Sequence, residues 1–497
     1  MRMVEAMRVH WTGGVSRRDV LRVAGLVPAA GLLLTACTDT QEPPPVDTTE
    51  LEYAPTKDTL QEMLDRRAKA QLAGDERAYL ADLDENNHEL IQRERMVFEN
   101  LRQFPVEDLR YLVVRDPGSE FEPPPPPPRQ GEDHSRWENW RPSGPWWYVP
   151  VVKVVTLATD DVPDWAVGPG ETYEYEVARR NGGWMIADIR PLARADLEDR
   201  MRGDWVATKR AIATPWDYPS AAVPWNLQPL RVAHSGNIWL AADETVPDLE
   251  TYLDAATAEL AYVEEIWGDR PSFPGHVIFL SRDTQNTGRW FDLGEEFNTQ
   301  FPGVAVPRFA VRADGSYFDD RFASARMAIN LELAADLSSD PRSIMRHELA
   351  HAISARMQNV EDRYPSRWVI EGFARYVEVR EDPQAQQVNR YWAAQGFDGK
   401  LPYSRTFYNG DAETVSANYA RGYLVFQAAE DLRGRDAAVD FYVALISQPS
   451  IVIELAAEQE ALSDEGLAKL ESICRDTLGI GAGPFFDQWR DLVRRGG

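Results

Sequence analysis

Lysine is scarce in this 497-residue chain, confined to Lys57, Lys69, Lys153, Lys209, Lys400 and Lys469, so arginine carries most of the positive charge. Even so, Lys and Arg together number 53 against 80 Asp and Glu, a formal net charge of −27. No segment supplies the basic footprint that a polyanion needs, which excludes nucleic acid as a partner. Cysteine is rarer still. Cys37 and Cys474 stand alone and far apart, so no disulfide scaffold holds the chain together. What is present is apolar substance: 43% hydrophobic and 10% aromatic residues, too many for a largely disordered chain. At roughly 150 residues per domain, the length predicts two to three domains with a sizeable core.

The chain opens with Ser16-Arg17-Arg18-Asp19-Val20-Leu21, and an apolar stretch runs from Val23 to Ala36. That stretch falls short of the ~20 residues that span a bilayer as a helix. An arginine pair ahead of a short hydrophobic segment resembles a Tat export signal. Its end, Leu34-Thr35-Ala36-Cys37, resembles a bacterial lipobox, which implies acylation at Cys37 and a lipid anchor on the outer face of the cytoplasmic membrane. Without acylation the same segment reads as a plain signal or an uncleaved anchor. Residues 1–37 are thus expected to be a signal, and residues 38–54, rich in Thr, Pro and acids, a flexible tether.

Beyond the tether, Leu60, Met63, Leu64, Ala68 and Leu72 keep a 3.6-residue spacing, and a second helical pattern runs from His88 to Leu101. Strand-like runs follow at 109–115, 147–158, 172–178 and 184–189, the last two separated by the hairpin signal Asn181-Gly182-Gly183. Helices followed by an antiparallel sheet ending in Asn181 to Ile189 resemble the cystatin-like/NTF2-like fold over residues 55–195. Within that region six prolines from Pro123 to Pro128 precede Trp137, Trp140, Trp146 and Trp147. Such a run holds an extended polyproline conformation. It reads as a docking segment for a partner's aromatic groove, as packing against the tryptophans, or as a stiff surface insertion.

Residues 196–228 read as a connector. From 229 onward the pattern predicts short strands near 230–232 and 238–241, a helix over 247–267, and strands at 276–280, 303–311 and 325–333, with a turn at Asp314-Gly315. Past residue 340 the pattern is almost entirely helical, and Cys474 falls on an expected helix over 466–478 as a small buried hydrophobe. The fold class expected is therefore α+β: a small helix-and-sheet domain, then a mixed sheet with an edge strand, then a mostly helical half.

The residues that can carry chemistry are His347-Glu348-Leu349-Ala350-His351. Asp340 as N-cap and Pro341 as first helical residue predict a helix over 341–357. On it the two histidines, four apart, project from one face as two imidazoles on one metal require. Glu348 lies beside them, within reach of a water at that metal. With seven histidines in the chain, this pattern arises by chance in about one such sequence in a hundred. A second helix is expected to begin after Pro365-Ser366 and to carry Trp368-Val369-Ile370-Glu371-Gly372-Phe373-Ala374-Arg375-Tyr376-Val377-Glu378. Glu371 can supply a third ligand, and a His2Glu set leaves zinc a fourth position for water.

Here the sequence resembles the gluzincins, the HExxH-plus-distant-Glu metallopeptidases of the M1-like and peptidase MA-like kind, over residues 229–497. The resemblance implies one Zn²⁺ per chain held by His347, His351 and Glu371, with Glu348 as general base. Tyr419-Ala420-Arg421-Gly422 resembles the family's Y-x-K-G segment, which implies that Tyr419 donates to the oxyanion, Arg421 replacing the commoner Lys. Tyr419 also reads as a core aromatic beside Tyr423 and Phe426. Glu378, one helical repeat past Glu371, is expected either to accept a hydrogen bond from a ligand histidine or to be a solvated surface charge. In the family an edge strand upstream of the active-site helix binds extended peptide by strand addition, and 326–333 is expected to be its equivalent. M1 aminopeptidases carry G-x-M-E-N there, whose Glu holds the substrate's free amine. Ala325-Arg326-Met327-Ala328-Ile329-Asn330 lacks it, which points away from an M1-style aminopeptidase and toward an endopeptidase or a highly selective enzyme.

His10, His88, His134, His234 and His276 have no partner at ligand spacing and read as surface or satisfied core residues. The expected activity is peptide-bond hydrolysis on peptide or protein substrates by a lipid-tethered zinc metallopeptidase. The alternative is a non-catalytic binding or scaffold lipoprotein that retains the same fold.

Overall fold

The computed structural model describes residues 55–113, 146–180, 182–191, 223–291, 293, 300–315, 317–359, 365–448, 453–456, 459–462 and 464–496. The expected signal, Cys37, the tether, the Pro123 to Pro128 run and most of the connector lie outside the described residues. Among the described residues, no helix is long and apolar enough to cross a membrane.

The first described segment is helical: α1 (Lys57–Ala73), α2 (Glu76–Leu80) and α3 (His88–Leu101). Each start is fixed by a side chain that accepts from the first turn, Thr56, Asp75 and Asn87 respectively. Four antiparallel strands follow, β1 (Val106–Val113), β2 (Trp146–Leu157), β3 (Gly168–Arg180) and β4 (Gly183–Pro191). Arg180 pairs directly with Gly183, and Gly182 sits at φ 82°, so the tight turn closes where the glycine pair forecast it. Leu72, assigned to the apolar stripe of α1, is 47% exposed at that helix's last turn.

After the short helix α4 (Pro224–Leu227) come β5 (Arg231–Ser235), β6 (Ile238–Ala242), α5 (Leu249–Trp267), β7 (His276–Ser281), α6 (Asn286–Trp290), β8 (Gly303–Val311) and β9 (Tyr317–Asn330). Gly315, at φ 84°, turns β8 into β9. Then α7 (Leu331–Asp336), α8 (Pro341–Ala355), α9 (Arg367–Val379), α10 (Pro383–Ala394), α11 (Ala412–Arg433) and α12 (Arg435–Ile446) follow. The helical half is interrupted by a hairpin that the pattern did not announce, β10 (Ile453–Ala456) with β11 (Gln459–Leu462). It closes with α13 (Asp464–Ile473), a wider π turn over Cys474–Leu478 and α14 (Ala482–Arg494). Cys474 is fully buried, and burial pushes its thiol up to about 12.

The fold is α+β, and β1 to β9 join into one nine-stranded sheet in the order β1-β2-β3-β8-β9-β7-β6-β5, with β4 on β3 and the β10-β11 hairpin apart. The bridge between the two ends is short: Gly168 and Pro169 of β3 pair with Val311 and Ala310 of β8. β6, β7 and β9 run parallel to one another, and β7 is buried along its whole length because both its faces are covered. Ile278 and Leu280 face one core with α5, α8, α9, α11 and α12, while Val277 and Phe279 face another. That second core holds Leu60, Leu90 and Val97 of the N-terminal helices together with Trp225, Val304 and Val306. The N-terminal segment thus packs against the reverse face of the sheet that carries α8 on its front.

One expectation requires correction. The strand upstream of α8 is not an edge: β9 lies between β8 and β7 and pairs along both sides. Leu331 to Leu333, assigned to it, begin α7, because Asn330 caps that helix by accepting from the Leu333 amide. The open border belongs to β8, where residues 303–308 have no strand partner on their outer side among the described residues.

Candidate metal centre

Asp340 accepts from the Arg342 amide at 3.0 Å and Pro341 occupies the first turn, so α8 starts where its cap dictates. Glu259 of α5, 1% exposed, receives Arg342 at 2.9 Å and Arg346 at 2.6 Å and so fixes the helix against the core. Two turns in, His347 and His351 leave the same face, and their Nε2 atoms stand 3.1 Å apart.

α9 brings Glu371 to meet them. Its Oε2 lies 3.4 Å from His347 Nε2 and 3.3 Å from His351 Nε2. Of the described residues these three form a group able to hold a metal ion, one donor atom from each lying within 4.8 Å of the others. The tautomer of His347 makes the fit specific. Its Nδ1 is 3.0 Å from Glu378 Oε2, so Nδ1–H can donate there and, in the neutral ring, leave the Nε2 lone pair for a metal. Together with a second imidazole and a carboxylate, that nitrogen can hold a metal ion, and the nitrogen and oxygen donors suit zinc. With no ion, a proton is favoured instead: burial opposes it, yet hydrogen bonds to Glu371 and Glu378 push His347 up to about 10. Burial alone would raise Glu371, but the two histidines hold its carboxyl well below the usual range.

Glu378 is therefore no solvated surface charge. It also receives the Ser343 hydroxyl at 2.8 Å and the Arg375 guanidinium. Burial works against its charge, but Arg375 and then His347 bring it down to about 2.

Glu348 points from α8 toward β8, 7% exposed, and burial raises its carboxyl. The start of β8 is shaped to admit it. A Cβ at Gly303 would lie 2.5 Å from Ile344 Cγ2 and 2.8 Å from Glu348 Oε1, so only glycine lets the strand approach this closely.

Tyr419 lies on α11 with its ring 6.1 Å from that of His347 and 5.1 Å from that of Phe407. Tyr423 and Phe426, its partners on the helix pattern, are fully buried, whereas Tyr419 is half-buried beside His347. Burial, Glu371, Tyr408 and Glu348 all raise its pKa, which keeps the phenol a neutral donor. Arg421 donates instead to the Ala393 and Gln395 carbonyls at the end of α10.

Tyr408 escaped the sequence reading. It sits just past a 3₁₀ turn at Ser404–Thr406, in a segment without periodicity, and its hydroxyl donates to Glu371 Oε1. That bond holds the carboxylate oxygen turned away from the two histidines. No motif or spacing marks this residue. The open border of β8, residues 303–308, carries no Asp or Glu.

No family model matches this chain, and no curated protein does. Among solved structures it is similar to an M1 zinc metallopeptidase from Deinococcus radiodurans, at 16% identity and a TM-score of 0.31, over 54% of this chain and 52% of that one. A two-domain M1 zinc metallopeptidase mutant bound to L-arginine gives 15% and 0.30, over 53% and 51%. A Deinococcus radiodurans M1 mutant bound to a Tyr-Ser-Ala substrate gives 16% and 0.28, over 53% and 51%. The chain spans about half the length of the solved structures it matches.

Proposed function

We propose that this chain is a zinc-dependent peptidase of gluzincin type, exported by a Tat-type signal and tethered by a lipid on Cys37. The observation that carries the reading is the convergence of His347 Nε2, His351 Nε2 and Glu371 Oε2, with the far nitrogen of His347 committed to Glu378. His347, His351 and Glu371 would hold the ion. Zn²⁺, when bound there, supplies a Lewis acid that polarises a carbonyl and acidifies water.

The remaining steps belong to side chains. Glu348 takes the proton of the attacking water and returns it to the departing amine, a task suited to a carboxyl raised by burial. Tyr419 donates to the carbonyl oxygen as charge gathers on it, a role in which one lost donor costs roughly 10²–10³ in rate. An extended peptide would add as a strand along residues 303–308 of β8, whose start adjoins Glu348. With no carboxylate on that strand to hold a free amine, the reading favours an endopeptidase or a highly selective enzyme. The N-terminal helices and strands, read as an NTF2-like unit, would help to localise or gate the enzyme.

The experiment is metal analysis and turnover of the full chain beside Glu348→Gln. Zinc near one per chain in both, with hydrolysis lost in the variant, is the expected result. Metal without turnover in either protein would favour the binding lipoprotein instead. For the tether, Cys37→Ser is expected to move the protein from the membrane to the soluble fraction; continued membrane association would sink acylation at that residue.

A further inference from the structure

Antiparallel strands exchange hydrogen bonds directly across at alternate residues, and the residues between turn their N–H and C=O to the other side. For β8 that parity is fixed at its start, where the Asn330 amide donates to the Pro302 carbonyl at 2.8 Å. Those two residues continue the register Gly303↔Ile329, so Val304 and Val306 direct their backbone groups at Ala328 and Arg326 of β9. Gly303, Ala305 and Pro307 therefore turn theirs to the open border. The side chains keep the same alternation. Ala305 packs with the core that holds α8, and Val304 and Val306 pack with the core on the reverse face.

The open stretch is short. Gly303 and Ala305 each present one donor and one acceptor there, and none of these groups has a partner among the described residues. Pro307 has no N–H, and its ring stands where the carbonyl of an added strand would approach. Farther along, that side is closed. Pro169 and Gly168 of β3 pair with Ala310 and Val311, and Arg308 donates to the Gly170 carbonyl at 3.1 Å. At the other end, Gly303 is the first residue of β8, and a Cβ on it would lie 2.8 Å from Glu348 Oε1. The ladder thus begins beside the carboxyl assigned to water activation.

We propose that this border recognises an extended peptide by two rungs only, at Gly303 and Ala305, and that Pro307 ends the ladder. The proposal rests on the peptidase reading and names what its substrate must carry. Along β8 the peptide needs a free amide N–H at two residues separated by one other. The residue between them turns its N–H away from β8, so proline or N-methylation is tolerated at that position. Peptide extended beyond the second rung gains no affinity from the strand.

The test uses the full Glu348→Gln chain loaded with zinc and a fluorescent decapeptide selected on it from a random library. N-methyl residues are then placed at each position in turn, and Kd is read by anisotropy. Affinity should fall about 10-fold at two positions, two residues apart, and change little at the position between. Adding Pro307→Ala restores a donor and should create a third sensitive position, two residues farther on. Adding Ala305→Pro should remove one of the original two, since the N–H it deletes does not face β9. The scan on Glu348→Gln alone decides if either added substitution prevents folding. No binder, no alternation, or three sensitive positions with Pro307 in place would overturn the proposal. Turnover by the parent chain is measured separately. Hydrolysis without the alternating pattern would sink the two-rung ladder and keep the peptidase reading, whereas the pattern without hydrolysis would do the reverse.

Discussion

Gly372 of α9 stands so close to Gly422 of α11 that a Cβ added to it would lie 2.5 Å from the Gly422 carbonyl carbon. Backbone touches backbone at this crossing. Glu371 immediately precedes the first glycine, and Tyr419 lies about one turn before the second, so the contact sets how far apart these two side chains stand. In an ordinary exposed helix, replacing Gly by Ala gains about 1 kcal/mol. Here the extra methyl must push two helices apart, and overpacking costs about 1–3 kcal/mol. Gly372→Ala is expected to lower thermal stability and zinc occupancy together. A variant as stable as the parent with full zinc content would show that the crossing has slack.

The rings of Tyr408 and Tyr419 lie 6.3 Å apart beside the candidate ligands, but a single missing oxygen should separate their effects. Tyr408 donates to Glu371 and so acts on the metal through a ligand. Tyr408→Phe should weaken zinc binding about 10- to 100-fold, the usual cost of losing a partner behind a ligand. Chelator competition would read that loss. Tyr419→Phe should leave zinc affinity near the parent value and reduce kcat by about 10²–10³. Interchanged results would exchange the two roles.

The contrast between those tyrosines also shows what the sequence could reveal. His347 and His351 were legible because helical periodicity converts their spacing into a shared face and Asp340 marks where their helix begins, whereas Glu371, on another helix, was legible through its resemblance to the gluzincin segment. Glu378 followed from the same arithmetic, one helical repeat past Glu371. Tyr408 was not legible, since a loop residue reaches its partner by a path that no period encodes. Strand order was hidden for a related reason. Alternation predicts strands at 303–311 and 325–333, the second of which is observed over Tyr317–Asn330, but says nothing about which one lies at the border. The shared sheet was equally out of reach, because Gly168 and Pro169 meet Ala310 and Val311 across a long stretch of chain. Gly303 and Gly372 read as ordinary glycines until the backbones they admit are in place.

His276 gives the fold a testable acid sensitivity away from the metal ligands. It is fully buried, and burial, with Arg326 beside it, brings its ring from an ordinary value near 6.5 down to about 4. In the unfolded chain it takes up a proton as pH falls through 6.5, whereas the folded chain refuses that proton until about pH 4. Folding stability contributed by the neutral ring is thus present above 6.5 and lost as pH drops toward 4. The shift corresponds to about 3 kcal/mol at its limit. His276→Gln removes the titration without adding a charge, so its stability should fall less steeply over this range than the parent's. Denaturant melts at pH 7, 5.5 and 4.5 would measure the two slopes. Parallel decline in parent and variant would mean that the ring is solvated well enough to protonate in the folded state.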